Sequence, residues 1–480
     1  MINKISALEK LASPLEPDAK DRLRIRKKVV EYSEKFLEGL EENKCFNDVP
    51  EKGIGLLDAP ITKTPRSIDK TLQLLEDNVD IPGLNPASGG HLAYIPGGGI
   101  YFSSLGDYLA AVTNRYAGVF YASPGAVRMT NQLIKWIAAM LGYPDTAGGN
   151  LLSGGSIANL TAIVTAREAF GIKGEDYSKT VIYSTRHAHH CLNKALRIAG
   201  LNECIQREVP MDEKYRMDAD KLEELITYDI KAGLKPWLVF ASAGTTDVGA
   251  IDPLSHIGTI CEAYKLWFHI DGAYGAFFNM TPEGKTKLQG IEKSNSIVLD
   301  PHKGLFLPYG LGAVIIRDIE ILKHAHAYTA NYMQDALNED EEVSPADISP
   351  ELTQHFRALR MWLPLQLCGT EPFVSCLREK LLLARYFYTK IQEIDGFETG
   401  PEPELSVITY RYLPKNRNAD EFNKMLLDEV VKDGRIFISS TLLDGNFTLR
   451  LAILSFRTHL KTIDLALQIL KEKATLILNN

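Results

Sequence analysis

The sequence predicts an α/β fold: a mostly parallel sheet with helices on both faces, preceded by a helical N-terminal segment and followed by a small α+β domain. Three observations predict it. Short apolar runs recur at 151–152, 181–183, 237–240, 267–270, 297–299 and 313–316, several separated by helical patterns, and that alternation implies parallel strands covered on both faces. Before residue 90 the periodicity is helical. Beyond Phe356 the texture changes: 405–412 alternates as a strand, Asp444-Gly445 is a hairpin signal, and 462–478 carries an apolar stripe. A chain of 480 residues exceeds one ordinary domain, and these changes divide it at 1–90, 91–370 and 371–480.

In the first division, after Ser13-Pro14 and Glu16-Pro17, residues 18–40 place Val29, Tyr32, Phe36, Leu37 and Leu40 at helical spacing, an amphipathic helix with one adhesive face. Its Arg22, Arg24, Arg26, Lys27 and Lys28 read as a solvated face, with an acidic partner as the alternative. The run His91-Leu92-Ala93-Tyr94-Ile95-Pro96-Gly97-Gly98-Gly99 lacks the strand-loop-helix context and the lysine of a P-loop, so its glycines mark a tight passage of backbone. Residues 101–141 read as two helices around a turn at Pro124. No internal repeat or low-complexity linker is present.

A hydrophobic content of 45% with 24% charged residues is ordinary for a globular protein with a substantial core, and the net charge of -8 argues against nucleic acid or an anionic membrane as partner. Cys45, Cys191, Cys204, Cys261, Cys368 and Cys376 show neither C-x-x-C nor metal spacing, which reads as reduced thiols in the cytoplasm. Residues 1–11 lack the apolar core of a signal peptide, and no run approaches the ~20 apolar residues that span a bilayer.

In a parallel sheet the ligand lies outside the carboxyl ends of the strands, and residues able to do chemistry follow several of these runs. After 297–299 comes Asp300-Pro301-His302-Lys303-Gly304. A lysine just off a buried strand is where burial can lower an amine's pKa and make it a nucleophile toward an aldehyde, although most such lysines are solvated charges. Asp271 closes the run 266–270, and a lone carboxylate buried there needs a cation. Ser153-Gly154-Gly155-Ser156-Ile157-Ala158-Asn159 joins a strand to an apolar-periodic helix, so its backbone can approach a phosphate at a helix N-terminus; Ser156 as an ordinary N-cap is the plain alternative. His187, His189 and His190 are close in sequence but lack a carboxylate or second ligand pair that would close a metal site. Thr245 and Thr246 can satisfy a turn, and Asp252 can cap the next helix.

Taken together, His269-Ile270-Asp271-Gly272-Ala273-Tyr274-Gly275-Ala276 and Asp300-Pro301-His302-Lys303-Gly304 resemble the pyridoxal-phosphate-dependent group II amino-acid decarboxylases, the family of aromatic-amino-acid, histidine and glutamate decarboxylases. The other motifs extend the resemblance over most of the chain. It implies the fold type I of pyridoxal-phosphate enzymes with a seven-stranded sheet, and a homodimer whose N-terminal helices cross the partner subunit and whose active site lies at the interface. By the same resemblance Lys303 forms the Schiff base, and Asp271 keeps the pyridine nitrogen protonated. His189 stacks on the ring opposite Ala273; Gly155 and Ser156 hold the phosphate, Thr246 reaches the cofactor, and Asp300 and His302, flanking the lysine, help hold either the phosphate or the Schiff-base geometry. Tyr94 and Pro96 line the substrate pocket. Arg450 either orients the substrate carboxylate or forms a structural ion pair.

The implied reaction is decarboxylation of a small-molecule L-amino acid to its amine, with the lost carboxylate perpendicular to the ring. An aminotransferase, a carbon-carbon lyase, decarboxylation-dependent oxidative deamination and a non-catalytic homologue are the alternatives. The resemblance breaks at one point. Many family members carry a proton-donating tyrosine on a mobile loop, whereas 341–352 here contains none, leaving either Tyr328, Tyr332 or His189 to protonate the α-carbon or a different quenching of the carbanion. The acidic, proline-punctuated stretch 337–350 reads as that mobile lid.

Overall fold

A computed structural model of the chain describes residues 1–327 and 342–479. The N-terminal part contains α1 (Ile2–Ala12), α2 (Ala19–Glu38), β1 (Phe46–Asn47), α3 (Ile68–Leu75) and β2 (Gly83–Leu84), followed by α4 (Tyr101–Thr113) and α5 (Pro124–Leu141). Asp18 starts α2 by accepting the amide of Asp21 at 2.8 Å. Neither α1 nor α2 contains a fully buried residue: on the adhesive face of α2, Val29 is exposed and Tyr32, Phe36 and Leu37 are half-buried, while Leu40 just beyond it is buried.

The central unit runs β3 (Gly148–Leu152), α6 (Gly155–Ala169), β4 (Thr180–Ser184), α7 (Cys191–Ile198), β5 (Ile205–Glu208), α8 (Ala219–Lys231), β6 (Lys235–Ser242), α9 (Leu254–Tyr264) and β7 (Trp267–Asp271). It continues through α10 (Pro282–Lys287), β8 (Ser296–Leu299), α11 (Pro301–Gly304), β9 (Gly312–Ile316) and α12 (Ile319–His326). Seven strands form one sheet in the order β3-β9-β8-β7-β6-β4-β5. The pairs among β5, β4, β6, β7 and β8 are parallel, and β9 is antiparallel to both β8 and β3. Six of these strands coincide with the apolar runs. The seventh, β5, reads Ile-Gln-Arg-Glu and is half exposed, because an edge strand buries too little to need a continuous apolar run.

The remainder is α13 (Ala358–Cys368), α14 (Glu371–Gln392), β10 (Phe397–Thr399), β11 (Val407–Tyr412), α15 (Ala419–Asp433), β12 (Ser439–Leu443), β13 (Asn446–Ala452) and α16 (Leu460–Asn479). Four strands in the order β10-β11-β13-β12 make a small antiparallel sheet with its own core of Phe387, Ile408, Phe422, Leu426, Leu451 and Ile469. Asp444-Gly445 turns the β12–β13 hairpin in the left-handed region, Asp444 at φ 48° and Gly445 at φ 82°.

The expectation of a mobile lid over 337–350 is corrected for its described part, 342–350. Pro345 and Ile348 are buried, Ala346 N donates to Gly118 O at 2.9 Å, and Phe120 N donates to Ser344 Oγ at 2.9 Å. Apolar side chains spaced around two prolines anchor this stretch against the loop before α5. Tyr328 and Tyr332 lie outside the described residues.

Candidate active site

The carboxyl ends of β4, β6, β7 and β8 and the N-terminus of α6 surround a cavity of about 320 Å³. Gly155, Ser156, His189, Thr246, Asp271, Ala273, Asp300, His302 and Lys303 all line it. Parallel neighbours end at one edge of the sheet, so motifs far apart in sequence open on one space.

Strand β8 stops at Leu299, and Asp300 begins α11, a single turn with Pro301 at its start. That turn brings Lys303 back beside Asp300: Nζ lies 2.9 Å from Asp300 Oδ2. The expected lowering of the amine's pKa is thereby corrected. Burial does push the ammonium down, but Asp300, with a further contribution from Asp271, outweighs it and raises Lys303 above the usual lysine value. His302 fixes itself by its other face, Nδ1 lying 2.6 Å from the carbonyl of Leu311, and burial lowers its pKa, so the ring is neutral. Behind this turn, Gly97 passes so close that a Cβ there would sit 2.1 Å from His302 O and 3.1 Å from Phe306 Cα. The three-glycine run is thus a tight passage of backbone, supporting the lysine turn from behind.

Asp271 ends β7 and is 8% exposed. Its Oδ1 accepts the amide of Ala273 at 3.1 Å, while Oδ2 faces Asn159 Nδ2 at 3.4 Å and Cys191 Sγ at 3.5 Å. None of these donors is a cation, so a protonated ring nitrogen would meet a buried anion with its charge unspent. His189 lies in the same cavity, and burial, opposed by Asp271, lowers its pKa. Its neighbours divide: His190 has its ring centroid 4.0 Å from that of His189, whereas His187 is buried and stacks on Tyr215 at 5.3 Å.

At the other end of the cavity, α6 begins with Gly154 as N-cap and without a side-chain cap, so Ser156 lies inside the first turn rather than capping it. A Cβ on Gly155 would lie 3.0 Å from Asp300 Oδ2 and 3.4 Å from Ala273 Cβ; glycine keeps that cradle open. The two threonines separate their roles. Thr245 is buried and its hydroxyl accepts Ala250 N at 3.1 Å, making the turn, while exposed Thr246 faces the cavity. Asp252 does not cap α9. It is buried, accepts the amides of Met217 and Ser242 at 2.7 Å each, and burial pushes its carboxyl up to about 6.

Three expected residues are not brought into this cavity by the single chain. Tyr94 is 61% exposed and packs against His91 and Phe437, Pro96 is buried in the same segment outside the lining, and Arg450 is held by the Thr246 loop and β12, with its Nη2 buried and without a partner among the described residues. Its Nε donates to the Thr246 carbonyl at 2.7 Å and Nη1 to Ser439 Oγ at 3.1 Å, so it braces the loop carrying Thr246. Conversely, Asn159, Cys191, Ser242 and Tyr274 line the cavity without having been singled out. Asn159 and Tyr274 stand inside motifs recognised for other residues; Cys191 and Ser242 carry no local signal, because the start of α7 and the pairing of β6 with β7 bring them to Asp271.

The donor set fits pyridoxal phosphate: helix amides and glycine for the phosphate, a lysine for the aldehyde, an unpaired carboxylate for the ring nitrogen, and a neutral imidazole and a methyl group for the ring faces. The fold and this cavity define a fold type I pyridoxal-phosphate enzyme. Residues 50–413 match the pyridoxal-dependent decarboxylase conserved domain. An aromatic-L-amino-acid decarboxylase of Bacillus atrophaeus is 33% identical over 76% of this chain and 77% of its own length, and a phenylacetaldehyde synthase of Petunia hybrida is 28% identical over 88% and 87%. A crystal structure of Oryza sativa TDC with PLP and tryptamine superimposes with a TM-score of 0.90 at 25% identity, covering 96% of this chain and 99% of that one. The chain belongs to the pyridoxal-dependent decarboxylase family and is a pyridoxal-phosphate-dependent amino-acid decarboxylase, a carboxy-lyase.

Proposed function

We propose that this enzyme decarboxylates an aromatic L-amino acid, with Lys303 and Asp271 as its catalytic pair and His189 over the ring. One observation carries the proposal: Lys303 and Asp271, delivered by the adjacent parallel strands β8 and β7, open on one cavity with the N-terminus of α6. Bound pyridoxal phosphate supplies an aldehyde and a ring that accepts the electron pair left by the departing carboxylate. Lys303 is the amine that would hold the cofactor through its aldehyde. Asp271 holds a proton at the ring nitrogen, and Gly155, Ser156 and Thr246 hold the phosphate end. Ala273 keeps one ring face free of bulk. Asp300 positions Lys303, and His302 closes the cavity beside it. Arg450 acts through the Thr246 loop.

The aromatic class rests on the names of the relatives. The proton for the α-carbon comes from His189, Tyr328 or Tyr332. A relative named for an aldehyde product, with no tyrosine among residues 342–352, supports aldehyde formation as a second outcome. The protein acts as a homodimer in the cytoplasm. Supporting this are the exposed apolar side chains of α1 and α2, of which Leu8 is 65% and Leu23 58% exposed, and six cysteines in the free thiol form. Tyr94 and Pro96, outside the cavity of one chain, are then candidates to complete the partner's site. Among the described residues no helix is long and apolar enough to cross a membrane.

The test is a panel of the common L-amino acids with the loaded enzyme, measuring carbon dioxide, amine, aldehyde and keto acid together. Carbon dioxide and amine in equal amounts from tyrosine, tryptophan, phenylalanine or their hydroxylated forms is the expected result. Keto acid without carbon dioxide refutes decarboxylation; turnover of aliphatic or acidic substrates alone refutes the aromatic class.

A further inference from the structure

Running from Asp271 into the interior of the sheet, a row of buried polar groups, of which Asn159 reaches the cavity lining, has no part in the mechanism above. Trp267, His269, Ser296 and Asn159 are each no more than 3% exposed. Trp267 Nε1 lies 2.8 Å from Ser296 Oγ, which lies 2.7 Å from His269 Nδ1; His269 Nε2 lies 2.8 Å from Asn159 Oδ1, and Asn159 Nδ2 lies 3.4 Å from Asp271 Oδ2. Strand register makes this row: Trp267, His269 and Asp271 alternate on one face of β7, and Ser296 is the β8 residue paired with His269.

The direction of every hydrogen is fixed. An indole nitrogen only donates, so Ser296 Oγ accepts from Trp267; with His269 neutral and its hydrogen on Nε2, Nδ1 is an acceptor and takes the serine hydrogen. Asn159 Nδ2 also faces the Gly155 carbonyl at 2.9 Å, which fixes the amide with nitrogen toward Gly155 and Asp271 and oxygen toward His269. His269 Nε2 must then carry the hydrogen. The ring is neutral, its pKa pushed by burial, against the pull of Asp271, down to about 4. Each group donates toward Asp271, and such an aligned chain polarises along its length.

We propose that His269 is a positioning residue of the reaction, holding Asn159 so that a one-directional chain of donors from Trp267 keeps Asp271 an anion beneath the cofactor's ring nitrogen. No proton moves along it, since every hydrogen is already on the donor the chain requires. The proposal rests on the assignment of Asp271 to the ring nitrogen. Other groups act on the same carboxylate: His189 and Cys191 from the loop and helix after β4, and Lys303, with its partner Asp300, from the end of β8. Asp271 is the charged group acting on His269 itself.

The experiment compares the loaded wild type with His269→Phe, His269→Gln and Ser296→Ala, recording kcat and KM against pH and the visible absorbance of bound cofactor. Phenylalanine fills the site but donates nothing, so Asp271 takes up a proton more readily. The acid limb of the kcat profile is expected to move up by about one pH unit, a tenfold change in proton affinity, with KM little altered. Glutamine can still donate toward Asn159 and should restore most of the wild-type profile; Ser296→Ala should shift it in the same direction by less. An unmoved acid limb in His269→Phe and Ser296→Ala overturns the proposal, as does a loss that glutamine does not relieve. Asp271→Ala separates the two layers. If that variant keeps full activity, the underlying assignment fails; if it loses activity while His269→Phe keeps the wild-type profile, only the donor chain fails.

Discussion

Lys303 Nζ and Asp300 Oδ2 lie 2.9 Å apart, and this contact, made within one helical turn, raises the pKa of the amine against the effect of burial. Burial pushes the ammonium's pKa down, whereas the carboxylate pushes it up and prevails. Asp300→Asn keeps the shape and the burial but removes the anion, so the amine loses its proton at lower pH. Cofactor-free Asp300→Asn enzyme is expected to load pyridoxal phosphate faster than wild type at neutral pH, followed by the rise of visible absorbance after rapid mixing. An equal or slower rate would show that the ion pair does not control the amine.

Lys303→Ala removes the amine altogether. The variant is expected to keep the far-ultraviolet circular dichroism of the wild type, to show no visible absorbance of lysine-bound cofactor, and to make no amine product. Retained absorbance would contradict the assignment of Lys303.

Gly97 bears on the same turn from the other side. A Cβ at this position, 2.1 Å from the His302 carbonyl, meets backbone rather than a flexible side chain. Gly97→Ala should therefore cost about 1–3 kcal/mol as overpacking and weaken cofactor retention as the lysine turn shifts. Thermal unfolding with and without added cofactor measures both; a variant matching wild type in each would show that the passage is looser than its geometry.

Stability should fall on the acid side through buried histidine. Burial pushes His91 down to about 4 from an ordinary value of 6.5, so between these values the unfolded chain binds a proton that the native chain refuses. The native state is thus fully favoured above pH 6.5 and loses ground as pH falls, by at most about 3 kcal/mol at pH 4 for this residue. Urea unfolding midpoints at pH 7 and pH 4.5 should lie closer together in His91→Phe than in wild type. An undiminished gap would place the acid sensitivity elsewhere.

The sequence by itself determined the strands with continuous apolar runs and the polar motifs at their ends. Those signals are local: a run of Ile297, Val298 and Leu299 must be buried whatever surrounds it, and Lys303 follows it by a fixed number of bonds. The half-exposed β5 escaped because an edge strand leaves no such run. The folded structure alone decided which polar groups meet: that Asp300 raises the pKa of Lys303, that Ser156 is no cap, that Arg450 supports a loop, and that Asn159 and His269 stand behind Asp271. The first two are set by the local backbone of α11 and α6, whereas the meetings of Arg450 with the Thr246 loop and of Asn159 and His269 behind Asp271 depend on the packing and register of elements distant in sequence, where a shift of one residue turns a strand side chain to the opposite face.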